Sequence, residues 1–101
     1  MYFITDYIDH PDIETEIIGE PLDKHKRCAA RVLLVWHQSI DEQYLTGFNA
    51  LQGVVRYGVG YDNIDLKALA DRNIIFCNTP DYGVDEVSDT AVGMILNIAR
   101  G

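Results

Sequence analysis

The chain has 101 residues, of which 48% are hydrophobic and 24% are charged, and this composition predicts one globular domain with a small core. Its net charge of −8 has the wrong sign for binding a nucleic-acid backbone, and no apolar run is long enough to span a membrane. Cys28 and Cys77 show neither zinc-ligand nor redox-pair spacing. We therefore expect a reduced, cytoplasmic protein with no metal site and no nucleic-acid or membrane partner.

Short runs rich in β-branched and aromatic residues alternate with helical patterns along the chain. Strands are predicted at Tyr2–Tyr7, Arg31–His37, Gln52–Tyr57 and Ile74–Asn78. Helices are predicted from Pro11 to Gly19, from Ser39 or Asp41 to Phe48, over Leu66–Asp71 after an Asp65 cap, and from about residue 84 to 101. In the third helix, Leu66, Leu69 and Ala70 are expected to face inward.

This alternation predicts an α/β fold with a doubly wound parallel sheet. The run Arg31–His37 is continuously apolar, as expected for a strand buried on both faces. Ligands of such sheets bind beyond the carboxyl ends of the strands, so the loops 57–63 and 78–83 should lie at one edge. The helix 84–101 is apolar on most sides, which indicates burial against a surface that the rest of the chain does not supply.

Gly58 and Gly60 form the motif that most strongly indicates a ligand site. Two glycines, spaced two apart after a strand, allow a tight turn whose backbone amides can hold an anion. The dinucleotide fingerprint is not met, because Asn63 stands at the third glycine position and no suitably spaced acid follows a second strand.

Aromatic and histidine side chains near these loops have two readings. Tyr57, Tyr61 and Tyr82 either pack at the edge of the sheet or line a small-molecule cleft. His37 ends a strand, where a structural or solvated histidine is more common than a catalytic one. That strand does not end in an aspartate, which argues against a phospho-receiver domain.

Three motifs, in order and at the right spacing, resemble the NAD-dependent D-isomer 2-hydroxyacid dehydrogenases. They are Arg56–Asp65 (RYGVGYDNID), Asn78–Pro80, and Val87–Ala91 leading into Met94–Arg100. This family includes phosphoglycerate dehydrogenases, glyoxylate reductases and the C-terminal-binding-protein corepressors. The resemblance is strong from about residue 53 to 101 and weaker, though compatible, before that.

The resemblance implies a flavodoxin-like fold in which residues 1–101 form the first part of the substrate-binding domain. The helix 84–101 would then cross toward a cofactor domain outside this chain. Members of the family usually have a second edge strand before the strand at Arg31–His37. Residues 20–30 are too few and too polar for it, so we expect this edge strand to be missing or reduced to two or three residues.

The resemblance also implies the roles of the site residues. Backbone amides of Val59 and Gly60 would hold the substrate carboxylate, with Tyr57 and Gly58 alongside, and Val87 would contact the nicotinamide end of NAD. The catalytic arginine, glutamate and histidine, and the glycine fingerprint for NAD, come from later sequence in this family. The chain alone is therefore expected to contain no catalytic residue and to be inactive, and its parent to be a homodimer.

Two alternatives remain open at the level of sequence. The corepressor branch of the family raises the possibility of an NAD-sensing interaction protein. A stand-alone module that binds small acids is the second. The identity of the acid and the choice of NAD over NADP are also left open.

Overall fold

The computed structural model describes residues 2–6, 12–57, 62–78 and 92–98 of the chain. Its elements, in chain order, are β1 (Tyr2–Ile4), α1 (Asp12–Ile18), a 3-10 turn (Arg27–Ala29), β2 (Val32–Val35), α2 (Glu42–Leu45), β3 (Gly53–Arg56), α3 (Leu66–Asp71), β4 (Ile75–Asn78) and α4 (92–98). The strands form one parallel sheet in the order β1-β2-β3-β4, in which Leu33 pairs with Phe3 and Val54. The predicted α/β fold with a parallel sheet is confirmed.

Both faces of the sheet are covered, which explains why β2 is apolar without alternation. All four residues of β2 are buried. On one face, Leu33 belongs to a cluster that includes Leu45 of α2 and Leu69 of α3. On the other face, Leu34 belongs to a cluster that includes Met94 of α4. Residues of a central parallel strand are buried whichever way they point, so each must be apolar.

Aspartate caps begin the two short helices that cover the first face. The side chains of Asp41 and Asp65 accept hydrogen bonds from the amide three residues further on, at 2.8 and 3.1 Å. The structure thus selects Asp41 over Ser39 and confirms Asp65. α2 ends at Leu45, earlier than predicted, because the next amides bond three residues back and turn the Phe48 ring into the core.

The buried side of α3 is only partly as predicted. Leu69 is 1% exposed and lies in the core, as expected. Leu66 is 42% exposed and Ala70 is also exposed, so the prediction that they face inward is wrong. Ala68 is the second buried residue, and because successive helical residues are about 100° apart, a buried side centred between Ala68 and Leu69 leaves Leu66 and Ala70 pointing away from the core.

The expected reduction of the edge strand is confirmed in the described part of the chain. Residues 20–30 contain a 3-10 turn and no strand. What remains of edge pairing is one hydrogen bond, in which the Leu22 N–H donates to the Tyr2 carbonyl at 2.8 Å. Too few residues separate α1 from β2 to form both a full strand and its connection.

The α4 helix packs closely on the end of the sheet where β3 begins. Met94, Ile95 and Ile98 are buried there. A Cβ atom at Gly53 would lie 2.6 Å from the Met94 sulfur, so the absence of a side chain at Gly53 permits this approach. Arg31 donates a hydrogen bond to the Ile98 carbonyl at 3.1 Å. The rest of the predicted helix 84–101 lies outside the described residues.

Within the described ranges, no helix combines the length and the apolar character needed to cross a lipid bilayer.

Candidate functional site

The carboxyl ends of the strands bring several polar and aromatic residues to one edge of the sheet, called here the carboxyl edge. The strands end at Ile4, Val35, Arg56 and Asn78, and the sheet is parallel. The segments that follow β1, β2 and β3 therefore lie side by side. This is the edge at which open α/β sheets bind ligands.

Asp6, just beyond β1, holds the turn that follows β2. Its carboxylate accepts hydrogen bonds from three successive backbone amides, Trp36, His37 and Gln38, at 3.0, 2.6 and 3.1 Å. The Thr5 hydroxyl donates to the same carboxylate at 2.8 Å. Three adjacent amides form an anion-binding nest, and here the chain fills the nest with its own side chain. Sequence reasoning did not identify Asp6.

Trp36 contacts both His37 and Arg56 at this edge. The His37 ring stacks on the indole with ring centroids 4.6 Å apart, and the Arg56 guanidinium carbon is 5.4 Å from the indole centroid. Arg56 also donates to the Tyr57 carbonyl at 3.3 Å. The contacts with the indole orient both side chains, so His37 is held as a ring partner of Trp36.

The glycine loop is defined here as residues 58–61. The segment that follows this loop is connected by hydrogen bonds to the turn after β2. The Asn63 side chain donates to the Gln38 carbonyl at 2.8 Å, and the Asn63 carbonyl accepts from the Ile40 N–H at 2.8 Å. A backbone bridge joins Ile40 and Ile64. Asn63, which stands at the third glycine position of the dinucleotide fingerprint, thus has a structural role: it joins the segment after the loop to the turn after β2.

Tyr57 stands directly before the glycine loop at the carboxyl edge, and its side chain is buried. Its side chain is 7% exposed and lies in the same cluster as Met94 and Ile98 of α4. Its hydroxyl donates to Glu14 Oε1 at 2.8 Å, and its N–H donates to the Val35 carbonyl at 2.8 Å. Of the two readings of this tyrosine, the structure favours packing over a cleft wall.

Burial raises the pKa of Tyr57, and the hydrogen bond to Glu14, the charge of Glu14 and the neighbouring Tyr2 act in the same direction. The phenol therefore remains a hydrogen-bond donor through the neutral range. Glu14 itself is 0% exposed, and its Oε2 has no hydrogen-bond partner among the described residues. Glu14 stands in the first turn of α1, where acids are common, and no pattern in the sequence predicts its burial.

The structure places only one of the five predicted binding residues. Tyr57 lies at the carboxyl edge, but its amide is used by the sheet, so it cannot donate to a ligand from its backbone. Gly58, Val59, Gly60 and Val87 lie outside the described residues, as do Tyr61 and Tyr82. The roles given to these residues remain predictions. No group of three His, Cys, Asp or Glu side chains arranged to hold a metal occurs in the part of the chain that the structure describes.

Comparison with known proteins gives a consistent result. The family profile of the D-isomer specific 2-hydroxyacid dehydrogenase catalytic domain matches residues 4–93. A 2-hydroxyacid dehydrogenase of Staphylococcus epidermidis is 31% identical over 93 residues, which are 92% of this chain and 29% of that protein. The chain thus spans less than a third of the length of this relative.

Solved structures share the fold. An NADPH-dependent glyoxylate/hydroxypyruvate reductase of Sinorhizobium meliloti, in complex with NADP and malonate, is 26% identical with a TM-score of 0.63, covering 95% of this chain and 33% of that one. An NAD+-bound 3-phosphoglycerate dehydrogenase of Entamoeba histolytica has a TM-score of 0.66 at 21% identity, covering 93% of this chain and 37% of that one. Because the family profile spans most of the sequence, the chain belongs to the D-isomer specific 2-hydroxyacid dehydrogenase family, within its catalytic domain.

Proposed function

We propose that this chain forms the substrate-carboxylate side of an NAD-dependent 2-hydroxyacid dehydrogenase. The parent reaction is the transfer of a hydride between C2 of a 2-hydroxy acid and the nicotinamide ring. The observation that carries this proposal is that described residues on both sides of the glycine loop are held by hydrogen bonds at the carboxyl edge, in a chain of this family. Tyr57 is held at the start of the loop and Asn63 just beyond its end.

The loop is suited to a small carboxylate on physical grounds. Adjacent amides in a glycine-rich turn can bind an anion without a cationic side chain. We assign the donor amides to Val59 and Gly60, with Gly58 alongside and Tyr57 as the fixed start of the turn. The guanidinium of Arg56 lies next to that start and makes this edge more attractive to an anion, within a chain whose net charge is −8.

The sequence does not fit a dinucleotide fingerprint, because Gly58 and Gly60 are followed by Asn63 at the position of the third glycine. We therefore assign most of the NAD contacts, and the catalytic arginine, glutamate and histidine, to sequence beyond these 101 residues. Val87 is our candidate for contact with the nicotinamide end. A homodimeric parent is part of the same proposal.

The proposal is tested by NADH oxidation with a panel of 2-keto acids, using the protein in its full natural length. Replacing Val59 with proline deletes one amide donor and should raise KM for the acid by about tenfold or more, since a hydrogen bond to a charged group is worth roughly 1.5–3 kcal/mol. KM for NADH should not change. Full-length protein that turns over none of these acids would contradict the proposal, as would turnover by the 101 residues alone.

A further inference from the structure

Glu14 has no role of its own in the proposed function, yet it forms a buried pair with Tyr57 at the start of the glycine loop. Tyr57 is the first residue after β3, and Glu14 is in the first turn of α1. Their side chains meet across 43 positions of sequence, through one hydrogen bond of 2.8 Å. The pair therefore links α1 to the point where the loop begins.

Burial of the Glu14 carboxyl group costs free energy. Its side chain is fully enclosed, and Oε2 has no partner among the described residues. A leucine of similar size would avoid the loss of hydration of a carboxyl group. Glu14 Oε1 accepts a hydrogen bond from the hydroxyl of Tyr57, the residue directly before the glycine loop.

We propose that Glu14 is a positioning residue for the glycine loop, acting through the Tyr57 hydroxyl. This inference rests on the proposed function, in which that loop holds the substrate carboxylate. Two fixed points hold Tyr57: its N–H on the Val35 carbonyl and its hydroxyl on Glu14. Together they fix the backbone and the side chain of Tyr57, the residue directly before the glycine loop.

The loop needs such fixing because of its composition. Glycine loses more conformational freedom on ordering than any other residue, so a sequence with two glycines gains most from restraint of the residues that flank it. Asn63 holds the far end through the Gln38 carbonyl and the Ile40 amide. Tyr57 and Glu14 supply the corresponding restraint at the near end. Pre-alignment of donors before binding improves affinity for the anion.

The test uses four single variants of the full-length protein and the double variant Tyr57→Phe/Glu14→Leu, assayed for reduction of a 2-keto acid with NADH. Tyr57→Phe removes the hydroxyl, and Glu14→Leu removes the acceptor. Glu14→Gln keeps an oxygen that can accept from the phenol. Tyr2→Phe is the matched control, because Tyr2 is a second buried phenol of the same cluster whose hydroxyl donates to the Gly19 carbonyl at the end of α1.

We expect Tyr57→Phe and Glu14→Leu each to raise KM for the acid by about tenfold, with kcat and KM for NADH changed less than twofold. The double variant should be no worse than either single variant, because the two groups act as one unit. Glu14→Gln should recover most of the affinity. Tyr2→Phe should leave KM for the acid within twofold of the wild type.

Other outcomes separate the two proposals. Wild-type protein that reduces 2-keto acids while Tyr57→Phe and Glu14→Leu retain its KM would overturn the positioning role and leave the proposed function standing. If Tyr2→Phe and Tyr57→Phe raise KM for the acid equally, the pair of Glu14 and Tyr57 is only a structural contact and the positioning role is overturned. Wild-type protein without turnover would overturn both. If Tyr57→Phe does not fold, the comparison of Glu14→Leu with Glu14→Gln decides the question with the phenol intact.

Discussion

Replacing Asp6 with asparagine should loosen the turn that follows β2. The carboxylate accepts from three consecutive amides at 3.0, 2.6 and 3.1 Å, and an asparagine would turn an NH2 group toward some of those N–H donors. A hydrogen bond to a charged group is worth roughly 1.5–3 kcal/mol when water cannot replace it. Asp6 is exposed, so water compensates in part, and the closest analogue is the loss of a helix N-cap, about 0.5–2 kcal/mol. We expect a loss of about 1.5 kcal/mol.

Urea denaturation followed by tryptophan fluorescence measures this change directly. Trp36 is the only tryptophan of the chain, and its own amide is one of the three that Asp6 holds. The midpoint should fall while the denaturant slope stays constant. Asp23→Asn is the control, because Asp23 accepts one local hydrogen bond, from the His25 amide at 2.9 Å, and should cost less than about 0.5 kcal/mol. If Asp6→Asn costs no more than Asp23→Asn, our account of the turn is refuted.

Three further predictions concern packing and pH. Gly53→Ala should destabilise the protein by about 1–3 kcal/mol in the same assay, since the new methyl group would lie 2.6 Å from the Met94 sulfur. A Cβ atom at Gly93 meets nothing within 4 Å, so Gly93→Ala is the control and should stabilise its helix slightly. Equal effects of the two substitutions would refute the close packing of α4. Leu69→Ala should cost about 2–5 kcal/mol and Leu66→Ala less than about 1 kcal/mol, as measured by thermal unfolding, and the reverse order would contradict the orientation of α3. The raised pKa of Tyr57 stabilises the fold below the unfolded value of 10.0 and ceases to do so as pH rises above it, because the unfolded chain then loses its proton first. Stability should therefore fall less steeply above pH 10 in Tyr57→Phe than in the wild type, and parallel curves would contradict this.

The fold was largely predictable because its signals are local. The apolar run that became β2 is continuous, and Asp65 stands at the cap position directly before α3. The missing edge strand could be inferred because the segment between α1 and β2 is short and most of its residues are polar. Where the signal was weak, as in the six residues of α3, the prediction of the buried side was wrong for Leu66 and Ala70.

The contacts that define the site were not predictable in the same way. Asp6 meets its amides across about 30 positions, and Glu14 meets Tyr57 across 43. An acid in the first turn of α1 looked like an ordinary partner of the helix dipole, and nothing in its neighbours indicated burial. Tyr57 could equally have lined a cleft, because its direction depends on the register of β3 against β2. Contacts between residues so far apart in the sequence are defined only by the tertiary structure.

The central claim is that the glycine loop holds a carboxylate, and amide chemical shifts report on it most directly. Titration of the 15N-labelled protein with glyoxylate should give saturable shifts that are largest at Val59 and Gly60. The Tyr57 amide, already bonded to the Val35 carbonyl, should move much less. Glycolaldehyde, which lacks the carboxylate, should produce no such shifts. Shifts that are absent from residues 58–60, or that appear instead at the amides of residues 36–38, would contradict the account.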